Sequence, residues 1–290
     1  MSVELLADGL HFGEGPRWHQ GKLWFSDFFD HAVKTVDLAG TVETKVPVAG
    51  RPSGLGWLPD GRMLIVSMTD RLLLRLEPDA MVVVHADLSE IATFHCNDMI
   101  VDEVGRAYVG NFGFDLDAAE TSGDFAGALA AYEGATIARV DPDGSVHAAA
   151  TGLRFPNGSV LTPDGRTMIV AESMARRLSA FDVAADGVLT NQRVWAETGR
   201  HVPDGICLDD EGAVWIADAS GPHCVRIREG GDVLAVVDTG QRCFACMLGG
   251  EDGRTLFMIT AQYSLAAEAS VHRSGKILTT RVAAGHAGRP

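Results

Sequence analysis

The chain has 290 residues, 46% hydrophobic and 22% charged, which is ample material for a large core. Its 24 basic residues face 39 acidic ones, a formal net charge of −15 without any basic cluster, so nucleic acid and anionic membrane surfaces are excluded as expected partners. No apolar run approaches the roughly 20 residues of a membrane span, and the opening MSVELLADGLHFGEGP lacks the basic and apolar segments of a secretory signal, which makes the cytoplasm the expected location.

The first expected strand is VELLAD, near the N-terminus. In the HQGKLWFSD that follows, a turn at Gly21 leads into an apolar run. A more polar strand, KTVDL (34–38), comes next. The same order returns at PDGRMLIVS, EVGRAYVGN, PDGRTMIVAES, DEGAVWIAD and EDGRTLFMIT, with aligned glycines Gly61, Gly105, Gly165, Gly212 and Gly253. In the fourth copy GSVLT (158–162), the turn Pro163-Asp164-Gly165 and TMIVA (167–171) predict a β-hairpin. In the fifth, VRIRE (225–229) and VLAVVD (233–238) supply a third and a fourth strand. Four strands in about 43 residues make one propeller blade.

Six copies therefore predict an all-β fold: a six-bladed β-propeller with four antiparallel strands per blade, forming a single domain over residues 1–290. The aligned glycines lie 40, 44, 60, 47 and 41 residues apart. The long interval holds an insertion, residues 114–135 (FDLDAAETSGDFAGALAAYEGA), expected as a lid or pocket wall at one mouth. Closing the circle needs the chain ends to meet, so VELLAD is expected to complete the last blade against Lys276 to Val282. The five cysteines are odd in number, and the Cys243–Cys246 CxxC has no second pair to complete a zinc site, so it is read as core.

One position changes chemistry from copy to copy. Eight residues before each glycine (seven in the first copy) stand Glu14, Ser53, Asn97, Asn157, Asp204 and Ala245. In a propeller the first strand of every blade lines the channel, so these six residues form a ring at one mouth. The ring offers two carboxylates, Glu14 and Asp204, and two amides, Asn97 and Asn157, with an uncrowded side at Ser53 and Ala245. Oxygen-only ligands select hard cations: calcium, magnesium or manganese. A single Asn or Asp at a strand start is a turn feature; four oxygen-bearing residues at homologous positions point to a cation.

The segments GEGPRW (13–18), FHCNDMIVD (94–102), FPNGSVLTPDGRTMIVAES (155–173), VPDGICLDDEGAVWIAD (202–218) and CFACMLGGEDGRTLFMITA (243–261) resemble the family of senescence marker protein, gluconolactonase and luciferin-regenerating enzyme. The resemblance implies a six-bladed propeller with one divalent cation at its axis and hydrolysis of a lactone, often a sugar lactone such as gluconolactone. Ca²⁺ is the first choice, with Mg²⁺, Mn²⁺ and Zn²⁺ as alternatives. It implies metal ligation by the Glu of GEGP, the Asn of PNG and the Asp of PDG, here Glu14, Asn157 and Asp204. It implies contact with substrate or metal-bound water by Asn97. Sugar lactonases of the family often carry Arg two residues before that Asn; here the position is His95.

The expected mechanism is attack by water on a carbonyl polarised by the cation, with Asp204 both ligand and proton acceptor and Glu14 supplying charge. His95 and His201 flank the ring as acids, bases or substrate contacts. Arg51 and Ser53 of RPSG, together with Arg154 before PNG, are further candidates for binding a small-molecule lactone. Asn111, Glu172 and Asp218 end the second strands and return to the same mouth as supports. The chain has no GxSxG, GxxxxGK or helix-opening GxGxxG. Two alternatives stand: hydrolysis of another ester or a phosphotriester at the same ion, and a non-enzymatic propeller with a structural cation.

Overall fold

A computed structural model describes residues 2–289. It contains six four-stranded antiparallel sheets, as the repeat predicts. The innermost strands are Gly13–His19, Pro52–Trp57, Cys96–Val101, Pro156–Leu161, Pro203–Leu208 and Cys243–Gly249. Each packs against the innermost strands of the blades before and after it, and the sixth packs against the first, so the ring is closed. Strands of this ring are buried along most of their length, whereas an outer strand such as Val42–Pro47 is mostly exposed. The gradient explains why the first two runs of each repeat are apolar and the later ones more polar.

The turn between the two inner strands recurs for a local reason. In the fourth blade Gly165 adopts φ +66°, a left-handed conformation open to glycine, and its amide donates to Thr162 O at 2.8 Å. The Asp164 carboxylate accepts from Arg166 N at 3.1 Å and from Thr162 Oγ1 at 2.6 Å, so Pro-Asp-Gly supplies its own capping.

The ends of the chain meet in the last blade. Glu4–Leu10 pairs antiparallel with Gly275–Arg281, with Glu4 opposite Thr279, and becomes that blade's outer strand. Beyond this closure, the last residues form a feature that the repeat does not announce. Ala287 N donates to Leu208 O at 3.1 Å, and Arg289 and Leu161 exchange two backbone bonds at 2.8 and 2.9 Å. The tail thereby crosses the ends of the fourth and fifth inner strands, on the face opposite the ring.

The insertion folds into two short helices, Leu116–Ser122 and Phe125–Ala131, each opened by an aspartate, Asp115 or Asp124, whose side chain accepts a backbone N–H. Four cysteines, Cys207, Cys224, Cys243 and Cys246, are buried as free thiols in one apolar cluster that runs from the fifth blade through the sixth to the first. Among the described residues no helix is long and apolar enough to cross a membrane.

Candidate functional site

The strand pairing fixes which positions are equivalent. Gly13, Pro52, Cys96, Pro156, Pro203 and Cys243 each open an inner strand and pair with the last residue of the second strand: Asp27, Ser67, Asn111, Glu172, Asp218 and Thr260. The residues that follow them are Glu14, Ser53, Asn97, Asn157, Asp204 and Phe244. The sixth member is therefore Phe244, not Ala245. The sixth inner strand, Cys243–Gly249, is one residue longer than those of blades two to five, while the turn that follows keeps the same length, so counting back from Gly253 slips the register by one. The side expected to be uncrowded instead carries an aromatic wall, with Phe12 and Phe244 centroids 4.7 Å apart and Phe28 5.4 Å from Phe12.

Small residues draw the ring together. A Cβ on Gly158 would lie 2.5 Å from Ile206 N, and one on Gly205 2.7 Å from Ala245 Cα. The inner strands thus meet backbone to backbone just behind Asn157 and Asp204, which is what the glycines of PNG and PDG permit.

The ring concentrates buried negative charge. Burial, then the negative charges of Asp204 and Asp98, push the Glu14 carboxyl well above the usual carboxylate range. Burial and then Asp98 push Asp204 up in the same way, opposed by a hydrogen bond from Asn157. Asp204 Oδ1 is buried with no hydrogen-bond partner, and so is Asn97 Oδ1. The Asn97 amide nitrogen donates to Pro156 O at 2.9 Å, so only its oxygen remains for a ligand. Buried carboxylates that repel one another, together with orphaned oxygens, fit a hard divalent cation.

A second set of polar residues stands behind the first. Asp27 accepts from Phe12 N at 3.0 Å, Glu172 from Arg154 N at 2.7 Å, and Asp218 from Val202 N at 3.0 Å. These are the blades that carry Glu14, Asn157 and Asp204, and each carboxylate holds the segment two or three residues before one of them. Asn111 is buried too, its side chain donating to Thr136 O at 2.8 Å. Of these supports, Asp27 was missed in the sequence, although FSD (25–27) parallels IAD (216–218).

Asp98 and Arg17 were also missed. Asp98 follows Asn97 and pairs with Arg17 at 2.7 Å, with both side chains buried. The clue was the buried position of both within GEGPRW and FHCND, motifs otherwise read for their first acidic or amide residue.

The remaining candidates sit around the rim. Ser53 is buried, and its carbonyl accepts from Ser26 Oγ at 2.6 Å. Arg51, at φ +60°, stacks its guanidinium over Phe29 at 4.9 Å. His95 stacks on Phe94 with centroids 4.1 Å apart; burial lowers its pKa, and the negative charge of Asp117 from the insertion partly offsets this. His201 is turned to Asp218, with Nδ1 to Oδ2 at 2.6 Å. Arg154 is occupied by the insertion: it donates to Leu129 O at 3.2 Å and to Tyr132 O, and lies over the Tyr132 ring. The Tyr132 hydroxyl donates to Leu153 O at 3.0 Å and accepts from Phe155 N at 2.9 Å, so the insertion is docked on the segment that enters the Asn157 strand.

Comparison with known proteins gives a consistent result. A family model described as the SMP-30/Gluconolactonase/LRE-like region matches residues 12–262. A regucalcin of Danio rerio is 28% identical over 189 residues, which span 63% of this chain and 60% of that protein. The pentonolactonase XacC of Haloferax volcanii is 26% identical over 278 residues, covering 90% of this chain and 86% of its own. Among solved structures, a luciferin-regenerating enzyme superposes with a TM-score of 0.81 at 19% identity, covering 99% of this chain and 98% of that one. A regucalcin from Agrobacterium tumefaciens, described as a calcium-binding protein, superposes with a TM-score of 0.80 at 20% identity, covering 100% and 96%. At such identities the two superpositions speak for the fold.

Proposed function

The chain belongs to the SMP-30/gluconolactonase/LRE-like family, and we propose that it hydrolyses lactones at the ring-bearing mouth of its channel. The observation that carries this reading is the pair of buried carboxylates, Glu14 and Asp204, each forced toward the protonated state by burial and by neighbouring negative charge. Glu14, Asn157 and Asp204 would hold one divalent cation, Ca²⁺ first among Ca²⁺, Mg²⁺, Mn²⁺ and Zn²⁺. Such a cation, when bound, supplies the positive charge that polarises an ester carbonyl and makes water acidic at neutral pH.

The chain's own residues supply the rest. Asp204 offers the unpartnered Oδ1 as acceptor for the proton that water loses on attacking the carbonyl carbon. Glu14 contributes charge. Asn97, with its nitrogen committed to Pro156 O, presents only an acceptor and so selects a hydroxyl or a water. Ser53, Arg51 and His95 line the rim on the second and third blades, and Phe12 and Phe244 give a sugar ring an apolar face to lie against. His201, engaged with Asp218, acts on the approach to Asp204. The helices at 116–131 form the pocket wall beside His95. A net charge of −15 disfavours anionic substrates and suits a neutral polyhydroxy lactone.

Pentonolactonase XacC, the 6-deoxy-6-sulfogluconolactonase of Pseudomonas putida at 26% identity and the gluconolactonase XC5397 of Xanthomonas campestris, a fold match at 20% identity, are named for lactones and support this class of substrate. The test is a panel of aldonic γ- and δ-lactones beside neutral phosphotriesters, assayed with metal-stripped protein resupplied with each of the four cations. Turnover of lactones is expected. Turnover of phosphotriesters alone would move the substrate class, and no turnover of either would leave the cation as a structural rivet.

A further inference from the structure

We propose that His201, Asp218 and His223 form a second cation site, selective for a borderline transition ion of the Zn²⁺, Co²⁺ or Ni²⁺ class. One nitrogen from each imidazole and one Asp218 oxygen lie within 4.8 Å of one another. The Asp218 carboxylate is oriented in advance: Oδ1 accepts from Val202 N at 3.0 Å, Ser220 N at 3.0 Å and Ser220 Oγ at 2.7 Å, which leaves Oδ2 to face both histidines. His201 Nδ1 lies 2.6 Å and His223 Nδ1 3.8 Å from Oδ2. His223 Nδ1 is buried and has no hydrogen-bond partner, so a polar atom is aimed at the carboxylate with nothing to bond.

The space between these groups is kept clear. A Cβ on Gly221 would lie 3.0 Å from Asp218 Oδ2 and 3.1 Å from His223 Nδ1. Two imidazoles and one carboxylate are the donor set of Zn²⁺ and its neighbours, whereas the channel ring offers oxygens alone, so the two sites sort cations by softness. The His223 side chain keeps 28% of its surface exposed, which gives the ion an entry path and room for water ligands. On binding, the ion replaces the hydrogen bond between His201 Nδ1 and Asp218 Oδ2, and the neutral imidazole carries its ring proton on Nε2. The site would tie the segment entering the Asp204 strand to the hairpin at 218–223, and it stands independently of the lactone reading.

The test titrates Glu14→Gln protein, whose channel ring has lost a carboxylate, with Co²⁺ alone, reading the visible absorption of imidazole-bound cobalt. It then measures Zn²⁺ content after gel filtration. One equivalent is expected. Adding His223→Ala should weaken binding at least about tenfold. Adding Gly221→Ala, which keeps all three ligands and fills the gap between them, should weaken it as well. Melting curves in metal-free buffer check that both variants fold, and if His223→Ala does not, Gly221→Ala decides. No Co²⁺ band in the parent protein, or unchanged affinity in the folded variants, would overturn the proposal.

Discussion

The guanidinium of Arg17 donates to Asp98 Oδ1 at 2.7 Å and balances one of the three carboxylates that meet in the channel. The other two, Glu14 and Asp204, feel the charge of Asp98 and form no ion pair among the described residues. The channel mouth is thus left with two uncompensated acids, while Arg17 also donates to the carbonyls of Leu55, Pro16 and Met99 and ties the first three blades together.

Replacing Arg17 should therefore be costly. Arg17→Met leaves a buried Asp98 without its counter-charge, and urea unfolding should show a loss of about 3–5 kcal/mol. Arg17→Lys should recover only a small part, because one ammonium cannot reach the four acceptors that the planar guanidinium serves. Full stability in Arg17→Met would show that the pair is dispensable.

Asp204→Asn keeps the shape and one oxygen while removing a charge and the proposed base. Turnover of the best lactone at saturating cation should fall by on the order of 10²–10⁴. Wild-type turnover in this variant would rule out Asp204 as base or essential ligand.

Removing the cation should act on both activity and stability. EDTA is expected to abolish turnover, and Ca²⁺, Mg²⁺, Mn²⁺ or Zn²⁺ to restore it to different degrees. A cation at a hundredfold excess over its Kd adds about 2.7 kcal/mol to the native state. Full activity in stripped protein, or a melting temperature indifferent to added metal, would contradict a bound catalytic ion.

The pH dependence has a definite sign. Glu14 and Asp204 have folded pKa values raised above the unfolded range of about 4. Their contribution to the stability of the metal-free protein is complete below that range and is lost as pH rises through the folded values. Protons compete with the cation for the same oxygens, so Ca²⁺ affinity should climb with pH over that window and then level off. Calorimetric titrations from pH 5 to pH 8, with melting curves of stripped protein beside them, would show this; an affinity flat across the range would contradict it.

Gly110→Ala should separate substrate handling from metal binding. Its Cβ would stand 2.6 Å from Asn97 Oδ1 and 2.8 Å from Pro156 O, displacing the Asn97 amide. A raised KM with near-normal Ca²⁺ affinity, as in Asn97→Ala, is expected from kinetics and calorimetry on the same preparation. A loss of Ca²⁺ affinity as large as that of Asp204→Asn would place Asn97 among the ligands.

The repeat, the hairpin turns and the closing N-terminal strand were legible in the chain, because each is written locally: apolar runs of strand length, a Pro-Asp-Gly that caps its own turn, a spare strand at the beginning. The equivalent positions of Glu14, Asn97, Asn157 and Asp204 were legible for the same reason, since a repeated frame makes a varying position conspicuous. The sixth ring position escaped because one added residue in the inner strand shifts a count by one, and only the pairing of Cys243 with Thr260 shows that Phe244 takes that position. The partnership of Asp98 with Arg17, the grip of Asp27, Glu172 and Asp218 on the entering segments, and the meeting of His201 with His223 were decided by tertiary structure alone. Hydrophobic period and turn chemistry act over a few residues, whereas burial and charge at the axis come from strands tens to hundreds of residues apart that meet only when the ring closes.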